Sequence, residues 1–135
     1  MSLSTVPYAV VVEDDPIIMM ETTFILEDAG FRVHESFDGD EAVALLSKHW
    51  ESTVLLFSDV DMPGAMNGFA LARHVAEHWP QIEIVIASGH VCPVEGDMPE
   101  KATFIAKPFN QRTVHEHLAE ILPDEKKPEP LRKAV

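Results

Sequence analysis

The sequence is short of positive charge, of cysteine and of long apolar runs. Its 135 residues include 10 Lys and Arg against 23 Asp and Glu, which gives a formal charge of −13. Such an excess of negative charge repels phosphate backbones, so we expect no unaided binding to nucleic acid. The single cysteine, Cys92, excludes an intrachain disulfide and fits a reducing compartment, which predicts a cytoplasmic location.

Signals for membranes and secretion are also missing from the sequence. No window approaches the roughly 18 uninterrupted apolar residues typical of a membrane-spanning helix. The amino terminus, MSLSTVPYAV, has no basic region before its apolar residues and is not typical of a secretory signal. Hydrophobic residues make up 46% of the chain, a balance typical of globular proteins, and the length fits one domain.

Short apolar runs alternate with amphipathic stretches along most of the chain. Strands are predicted at Tyr8–Val12, Phe31–Phe37, Thr53–Ser58, Glu83–Ala87 and Thr103–Ala106. Helices are predicted from Pro16 to a stop at Gly30, and at Gly39–Trp50, Phe69–Trp79 and Gln111–Leu122. This alternation predicts an α/β fold, an open parallel sheet with helices on both faces.

The stretch after the fourth strand departs from this alternation. It contains Pro93, Gly96 and Pro99, so we expect the fourth helix of the fold to be shortened or irregular. Output through this loop, or through partner docking alone, is a hypothesis that follows from the missing helix.

The two ends and the first helix give further expectations. Residues 1–7 are interpreted as an N-terminal extension, 8–123 as the domain, and 124–135, rich in Pro and Lys, as a disordered tail. The spacing of Ile17, Met20 and Phe24 places them on one helical stripe, and the Met19–Met20 pair is expected to fill the core. Asp15 before Pro16 is typical of a helix cap.

Charged and hydroxyl side chains stand where the predicted strands end. They are Glu13, Asp14 and Asp15 after the first strand, Asp59 and Asp61 after the third, Ser88 after the fourth and Lys107 after the fifth. In open parallel sheets, ligands gather at the carboxyl ends of strands. Converging carboxylates repel one another unless a cation joins them, and hard oxygen ligands suit Mg²⁺. A carboxylate beside Mg²⁺ can act as a nucleophile toward phosphorus, so the parts predict a phosphoryl-accepting site.

Four motifs in register carry a resemblance to a known family. They are VVVEDDP at 10–16, LLFSDVDMPG at 55–64, IASG at 86–89 and FIAKPF at 104–109. With these motifs the chain resembles the receiver domain of bacterial two-component response regulators across about residues 8–122. The resemblance implies a flavodoxin-like five-stranded parallel sheet with strand order 2-1-3-4-5.

The resemblance also assigns roles to the acidic residues. Asp59 would accept the phosphoryl group, and Mg²⁺ would be bound by Asp14 directly, by Glu13 through water and by the backbone carbonyl of Asp61. Asp61 would also be a candidate for tuning the lifetime of the phosphoryl group through its side chain.

The remaining roles fall on the fourth and fifth strands. Ser88 would move to hydrogen-bond the phosphoryl group, and Lys107 would pair with it from a cis peptide bond to Pro108. Phe104 would be the aromatic that swings inward on activation. His90 is a candidate for positioning or blocking the hydrolytic water, and an exposed loop residue without a role is the alternative.

The resemblance implies a single-domain response regulator that receives its phosphoryl group from a histidine kinase or a histidine phosphotransfer protein. Such a protein switches interactions with a downstream partner and catalyses only its own phosphorylation and dephosphorylation. One alternative is a pseudo-receiver, a constitutive binding module. Another is a phosphatase of the haloacid dehalogenase type, suggested by Asp59-Val60-Asp61, although those enzymes place that motif after their first strand.

Overall fold

A computed structural model describes residues 6–132 of the chain. The strands are β1 (Tyr8–Val12), β2 (Arg32–Ser36), β3 (Thr53–Asp59), β4 (Glu83–Ser88) and β5 (Thr103–Ala106). The helices are α1 (Pro16–Asp28), α2 (Gly39–His49), α3 (Gly68–His78), α4 (Gln111–Ile121) and the short α5 (Glu129–Arg132), with a 3₁₀ turn at Asp124–Lys126. Residues 1–5 and 133–135, part of the expected extension and tail, lie outside the described residues.

The five strands form one parallel sheet in the order β2-β1-β3-β4-β5. The predicted doubly wound α/β fold is thereby confirmed. Because β1, β3 and β4 are covered on both faces, they are almost continuously apolar, as in YAVVV and EIVIAS. No helix among residues 6–132 combines the length and the apolar character needed to cross a bilayer.

Two apolar layers cover the sheet, and alternate residues of each strand point into them. On β1, Ala9 and Val11 face the layer of α1 and α4, whereas Val10 and Val12 face the layer of α2 and α3. Because all five strands are parallel, their carboxyl ends lie at the same edge of the sheet, where the helices that follow them begin.

Side-chain caps set the starts of the four longer helices. Asp15, Asp38, Asn67 and Asn110 each accept a hydrogen bond from a backbone N–H of the first turn that follows. At α1, the Asp15 carboxylate accepts from Ile17 at 2.9 Å, which confirms the predicted cap.

The connection from β4 to β5 contains no helix, where the sequence predicts a shortened or irregular one. Gly96 has a φ of +92°, and two side-chain hydrogen bonds to backbone carbonyls fasten the loop. Arg73 on α3 donates to the carbonyl of Asp97 at 2.6 Å, and Lys101 donates to the carbonyl of Pro80. The loop therefore has a defined path without helical hydrogen bonds.

Helix α1 buries a different stripe from the one expected. Its buried side chains are Met19, Thr22, Ile25 and Leu26. The expected core residue Met20 is instead 65% exposed, and so are Ile17 and Phe24 to a similar degree. The helix is apolar on both sides, so contact with the sheet, and not the spacing, determines which side is inward.

The expected disordered tail is instead a packed segment over residues 124–132. Leu131 is 4% exposed and belongs to the apolar layer of α1 and α4. Pro128 and Pro130 lie against Gly30, where an added Cβ would come within 2.8 Å of both rings. Lys126 pairs with Glu83 at 3.0 Å. The buried Leu131 and the space beside Gly30 thus hold in place a segment whose composition is typical of a mobile chain terminus.

Candidate functional site

The acidic pair after β1 is built from one buried and one exposed carboxylate. Glu13 is 4% exposed, and its backbone N–H donates to the carbonyl of Ser36 at 3.0 Å. Its Oε2 accepts the backbone N–H of Asp15 at 3.1 Å, which holds the carboxylate toward the strand ends. Asp14 is exposed beside it.

Asp59 is the last residue of β3, and the backbone around it is tightly held. Ser58 Oγ donates to the Asp59 carbonyl at 2.8 Å, and the N–H of Gly68 donates to the Val60 carbonyl at 2.8 Å. The start of α3 thus lies directly against the residue that the sequence indicates as the phosphoacceptor.

Lys107 joins the two acidic strand ends. Its Nζ lies 2.9 Å from Glu13 Oε1 and 3.1 Å from Asp59 Oδ1. The Lys107–Pro108 peptide bond is cis. One compact positive charge therefore bridges carboxylates that come from β1 and β3.

Burial and pairing act on these charges in opposite directions. Burial raises the pKa of Glu13, and the nearby Asp59 adds to this, while hydrogen bonds from Lys107 and Asp15 lower it, leaving a net increase. Burial lowers the pKa of Lys107, but hydrogen bonds to Glu13 and Asp59 outweigh it, so that pKa lies above its ordinary value. Lys107 is therefore a fixed cation at neutral pH.

Ser88 is held by the loop that follows it. Its Oγ accepts the backbone N–H groups of His90 at 3.2 Å and Val91 at 3.1 Å, and the residue is 3% exposed. Its carbonyl accepts the N–H of Lys107 at 3.0 Å. The hydroxyl is thus tied by hydrogen bonds to the loop that replaces a helix, and His90 beside it is exposed.

The predicted site residues converge on one open depression of about 290 Å³. Its lining includes Glu13, Asp14, Asp59, Asp61, Ser88, His90 and Lys107. Phe104 does not line it, because this half-buried ring packs against the layer of α2 and α3. Asp15 also lines it, but its carboxylate is engaged as the cap of α1.

Three carboxylates of this depression fit a small hard cation. One oxygen each from Glu13, Asp14 and Asp59 lies within 4.8 Å of the others. Oxygen donors of this kind, in a depression open to water, match the preference of Mg²⁺ for carboxylates and retained waters. Two of these side chains also contact Lys107, so cation and lysine would share the same negative charge.

Sequence reasoning missed Gly68, which is essential to the shape of the site. A Cβ on this glycine would lie 2.0 Å from the Asp59 carbonyl oxygen and 2.8 Å from Val60 Cα. Only a residue without a side chain allows α3 to begin this close to β3. The sequence shows a glycine directly after the capping Asn67. It does not show that this glycine lies against Asp59 in the fold.

Comparisons with known proteins agree with this geometry. The profile of the family described as "Response regulator receiver domain" matches residues 9–119. The C4-dicarboxylate transport transcriptional regulatory protein DctD of Rhizobium meliloti (strain 1021) is 33% identical over 115 residues, which cover 79% of this chain and 23% of that protein. Sensor kinase CckA of Brucella abortus (strain 2308) is 29% identical over 114 residues, which cover 82% of this chain and 12% of that protein. The chain thus spans less than a quarter of either relative.

Solved structures give the same result. The chemotaxis response regulator CheY4 of Vibrio cholerae is similar with a TM-score of 0.76 and 27% identity, over 87% of this chain and all of that one. The receiver domain of the hybrid histidine kinase CckA gives a TM-score of 0.73 and 26% identity, over 86% of this chain and 99% of that one.

Proposed function

This chain belongs to the family of response regulator receiver domains of two-component systems, and on that premise we propose that it accepts a phosphoryl group on Asp59. The observation that carries the proposal is the Lys107 ammonium, which lies within 3.1 Å of both Asp59 and Glu13 in a depression that Asp14 also lines. A nucleophilic carboxylate, a fixed cation and further acidic ligands are the parts that phosphoryl transfer to a side chain requires.

In the proposed step, an Asp59 carboxylate oxygen attacks phosphorus and forms a new P–O bond. The P–N bond of a phosphohistidine donor breaks, and the imidazole leaves with the electron pair and takes up a proton. Lys107 stabilises the charge that spreads over the phosphoryl oxygens, and Ser88 releases the N–H groups of its loop to donate to one of them. The chain would catalyse only its own phosphorylation and dephosphorylation.

Mg²⁺ is the cofactor that the carboxylate set fits. Asp14 and Asp59 would hold it directly, Glu13 through water, and Asp61 through its backbone carbonyl. When bound, it would supply positive charge to the phosphoryl oxygens. Glu13 and Asp14 would present their carboxylate oxygens to the ion or its water. The backbone hydrogen bonds around Asp59 keep the carboxylate of that residue in place.

The proposed donor is a sensor histidine kinase or a histidine phosphotransfer protein in the bacterial cytoplasm. The acidic surface disfavours nucleic acid as a direct ligand, so the output is a change in binding to another protein. Phe104 on β5, packed against the layer of α2 and α3, is the proposed aromatic switch. A constitutive module that never takes phosphate has less support, because Asp59, Ser88 and Lys107 meet at one site.

The proposal predicts Mg²⁺-dependent labelling by a small phosphodonor. Incubation with acetyl phosphate and Mg²⁺ should add one phosphoryl group, which intact mass spectrometry detects and borohydride reduction with peptide mapping assigns to Asp59. EDTA should prevent the labelling, because it removes Mg²⁺ and leaves the carboxylates with the charge of Lys107 alone. A chain that stays unmodified with Mg²⁺ present, or that is modified at another residue, would contradict the proposal.

We further propose that the His90 imidazole, at the mouth of the depression, limits the access of water to the phosphoryl group. His90→Ala should shorten the half-life of the aspartyl phosphate severalfold, while the backbone N–H bond from residue 90 to Ser88 is kept. The measurement is the decay of the phosphorylated mass after the phosphodonor is removed. Val94→Ala, an exposed position in the same loop, is the control, and equal or longer half-lives in His90→Ala would refute this role.

A further inference from the structure

Two histidines face each other on the carboxyl-terminal half of α3. His74 and His78 are four residues apart, so their side chains lie on the same side of the helix. Their ring centroids are 4.0 Å apart and the ring planes differ by 23°, which is a stacked arrangement. Of the seven histidines in the chain, these are the only two that stand four apart on one helix. We name them the α3 histidine pair.

The hydrogen bonds of the α3 histidine pair leave nitrogen lone pairs available. His78 Nδ1 lies 2.9 Å from the backbone carbonyl oxygen of His74. Because a carbonyl oxygen only accepts, Nδ1 carries the proton, and the lone pair of the neutral ring is on Nε2. Within residues 6–132, the ring nitrogens of His74 have no hydrogen-bond partner in the protein. Each ring can therefore offer one nitrogen to a ligand, and the bond to the carbonyl is the support that metal-bound histidines ordinarily have.

Trp79, which directly follows α3, contacts both rings of the pair. Its own ring packs against the apolar layer of α2 and α3. Its centroid lies 6.0 Å from that of His74, at an angle of 65°, and 5.8 Å from that of His78. His74 is half-buried beside it. Rings that are held in this way lose little side-chain freedom when they bind a ligand, because they are already oriented.

The separation of the two rings fits a single metal ion between their nitrogens. Zn²⁺ binds imidazole nitrogen at about 2.1 Å, so two such nitrogens at a tetrahedral angle are about 3.4 Å apart. Stacked rings with centroids 4.0 Å apart reach that separation by a small tilt. Imidazole suits Zn²⁺, Ni²⁺ and Cu²⁺, whereas Mg²⁺ prefers oxygen ligands. The pair therefore selects a different class of ion from the carboxylates of the depression.

The charges around the α3 histidine pair also favour a cation. His78 is the last residue of α3, where the free carbonyls of a helix carry partial negative charge. Glu77, between the two histidines in sequence, is exposed, and the whole chain has a formal charge of −13. An ion bound to residues four apart would also hold the last turn of the helix closed, because it links the two ends of that turn.

We propose that the α3 histidine pair binds a divalent transition-metal ion such as Zn²⁺ through one nitrogen of each ring, with water completing the coordination shell. Helix α3 begins at Gly68 against Asp59 and runs to His78, a rise of about 15 Å. The site is thus separate from the phosphoacceptor depression. It is tested on the unphosphorylated chain, without a phosphodonor, so its failure and that of the proposed function are distinguishable.

The test is a titration of the full ¹⁵N-labelled chain with ZnCl₂ at neutral pH, followed by long-range ¹H–¹⁵N spectra of the histidine rings. Excess Mg²⁺ is present to compete for sites made of carboxylates alone. The ring nitrogens of His74 and His78 should shift together and saturate at one Zn²⁺ per chain, while those of the other histidines should not shift. His78→Gln should weaken the binding by at least about tenfold, since even the loss of a group that supports a metal ligand costs that much.

The matched control is His49→Gln. His49 also stacks on a second histidine, His34, with centroids 4.4 Å apart, but the two come from different elements of the fold. Its substitution should leave the affinity for Zn²⁺ unchanged. Ring shifts that appear first at His34 and His49, or at His90 beside the depression, would overturn the proposal, and so would equal affinities of His78→Gln and the wild type.

Stability gives a second measurement of the same site. Zn²⁺ should raise the urea concentration at which half of the wild-type chain is unfolded, because a ligand that binds the folded state stabilises it. The increase should be much smaller for His78→Gln, whose fold is verified by circular dichroism. An equal increase in both chains would mean that Zn²⁺ binds elsewhere and would contradict the proposal.

Discussion

Replacing Asp59 with asparagine is expected to abolish labelling of the chain by acetyl phosphate in the presence of Mg²⁺. The amide nitrogen and oxygen cannot form the acyl phosphate, because an amide is a poor nucleophile and carries no negative charge for Lys107 to position. The fold should be retained, since asparagine has the same shape and its Oδ1 can still accept a hydrogen bond from Lys107. The measurement is intact mass after a fixed incubation, with circular dichroism to verify folding.

Asp61→Asn is the matched control for that experiment. Asp61 lines the same depression and is exposed, so its substitution changes the local charge equally. Its proposed contribution to the cation is a backbone carbonyl, which the substitution keeps. Asp61→Asn should therefore still be labelled. Labelling of Asp59→Asn at the wild-type level, or loss of labelling only in Asp61→Asn, would place the phosphoacceptor elsewhere.

Gly68→Ala is expected to lower the free energy of unfolding by about 3 kcal/mol, as overpacking of a closely fitted position does. The added methyl would lie 2.0 Å from the carbonyl oxygen of Asp59, and a backbone atom cannot rotate away as a side chain can. Relief requires α3 to move from β3, which would break the bond from the Gly68 N–H to Val60. Denaturation in urea measures the loss, and labelling of the folded fraction should also fall because Asp59 is displaced.

The control for this substitution is Gly39→Ala. Gly39 also begins a helix, but its nearest neighbours are side-chain atoms of Met66 at 3.1 to 3.2 Å, which can shift. Its cost should stay within about 1 kcal/mol, because the gain in helix propensity offsets the contact. If the two alanine variants are equally stable and equally well labelled, the proximity of Gly68 to Asp59 does not constrain the site.

The position of the site could be predicted because it depends on strand ends alone. Glu13 and Lys107 are 94 residues apart, yet each follows a short apolar run that predicts a strand. Once the sheet is parallel, all such residues meet at one edge. The missing helix between β4 and β5 was equally visible, because Pro93, Gly96 and Pro99 oppose helical hydrogen bonding locally.

Two features could not be predicted from local patterns. Helix α1 is apolar on both sides, so its periodicity could not distinguish the buried stripe with Met19 from the exposed stripe with Met20. The burial of Leu131 depends on a surface a hundred residues earlier, where Gly30 leaves room for two proline rings. Both outcomes depend on tertiary contacts that composition does not contain.

The segment that ends in Leu131 also bears on where this folding unit stops. The family profile ends at residue 119, yet a side chain twelve positions later completes the apolar layer under α1 and α4. Lys126 and Pro128 attach that segment near the starts of β4 and β2, at the edge of the sheet opposite Asp59. A boundary drawn from family similarity would therefore cut through cooperative structure. Any protein fused after residue 132 would start from the side of the sheet where the strands begin, opposite the strand ends that carry the phosphoacceptor.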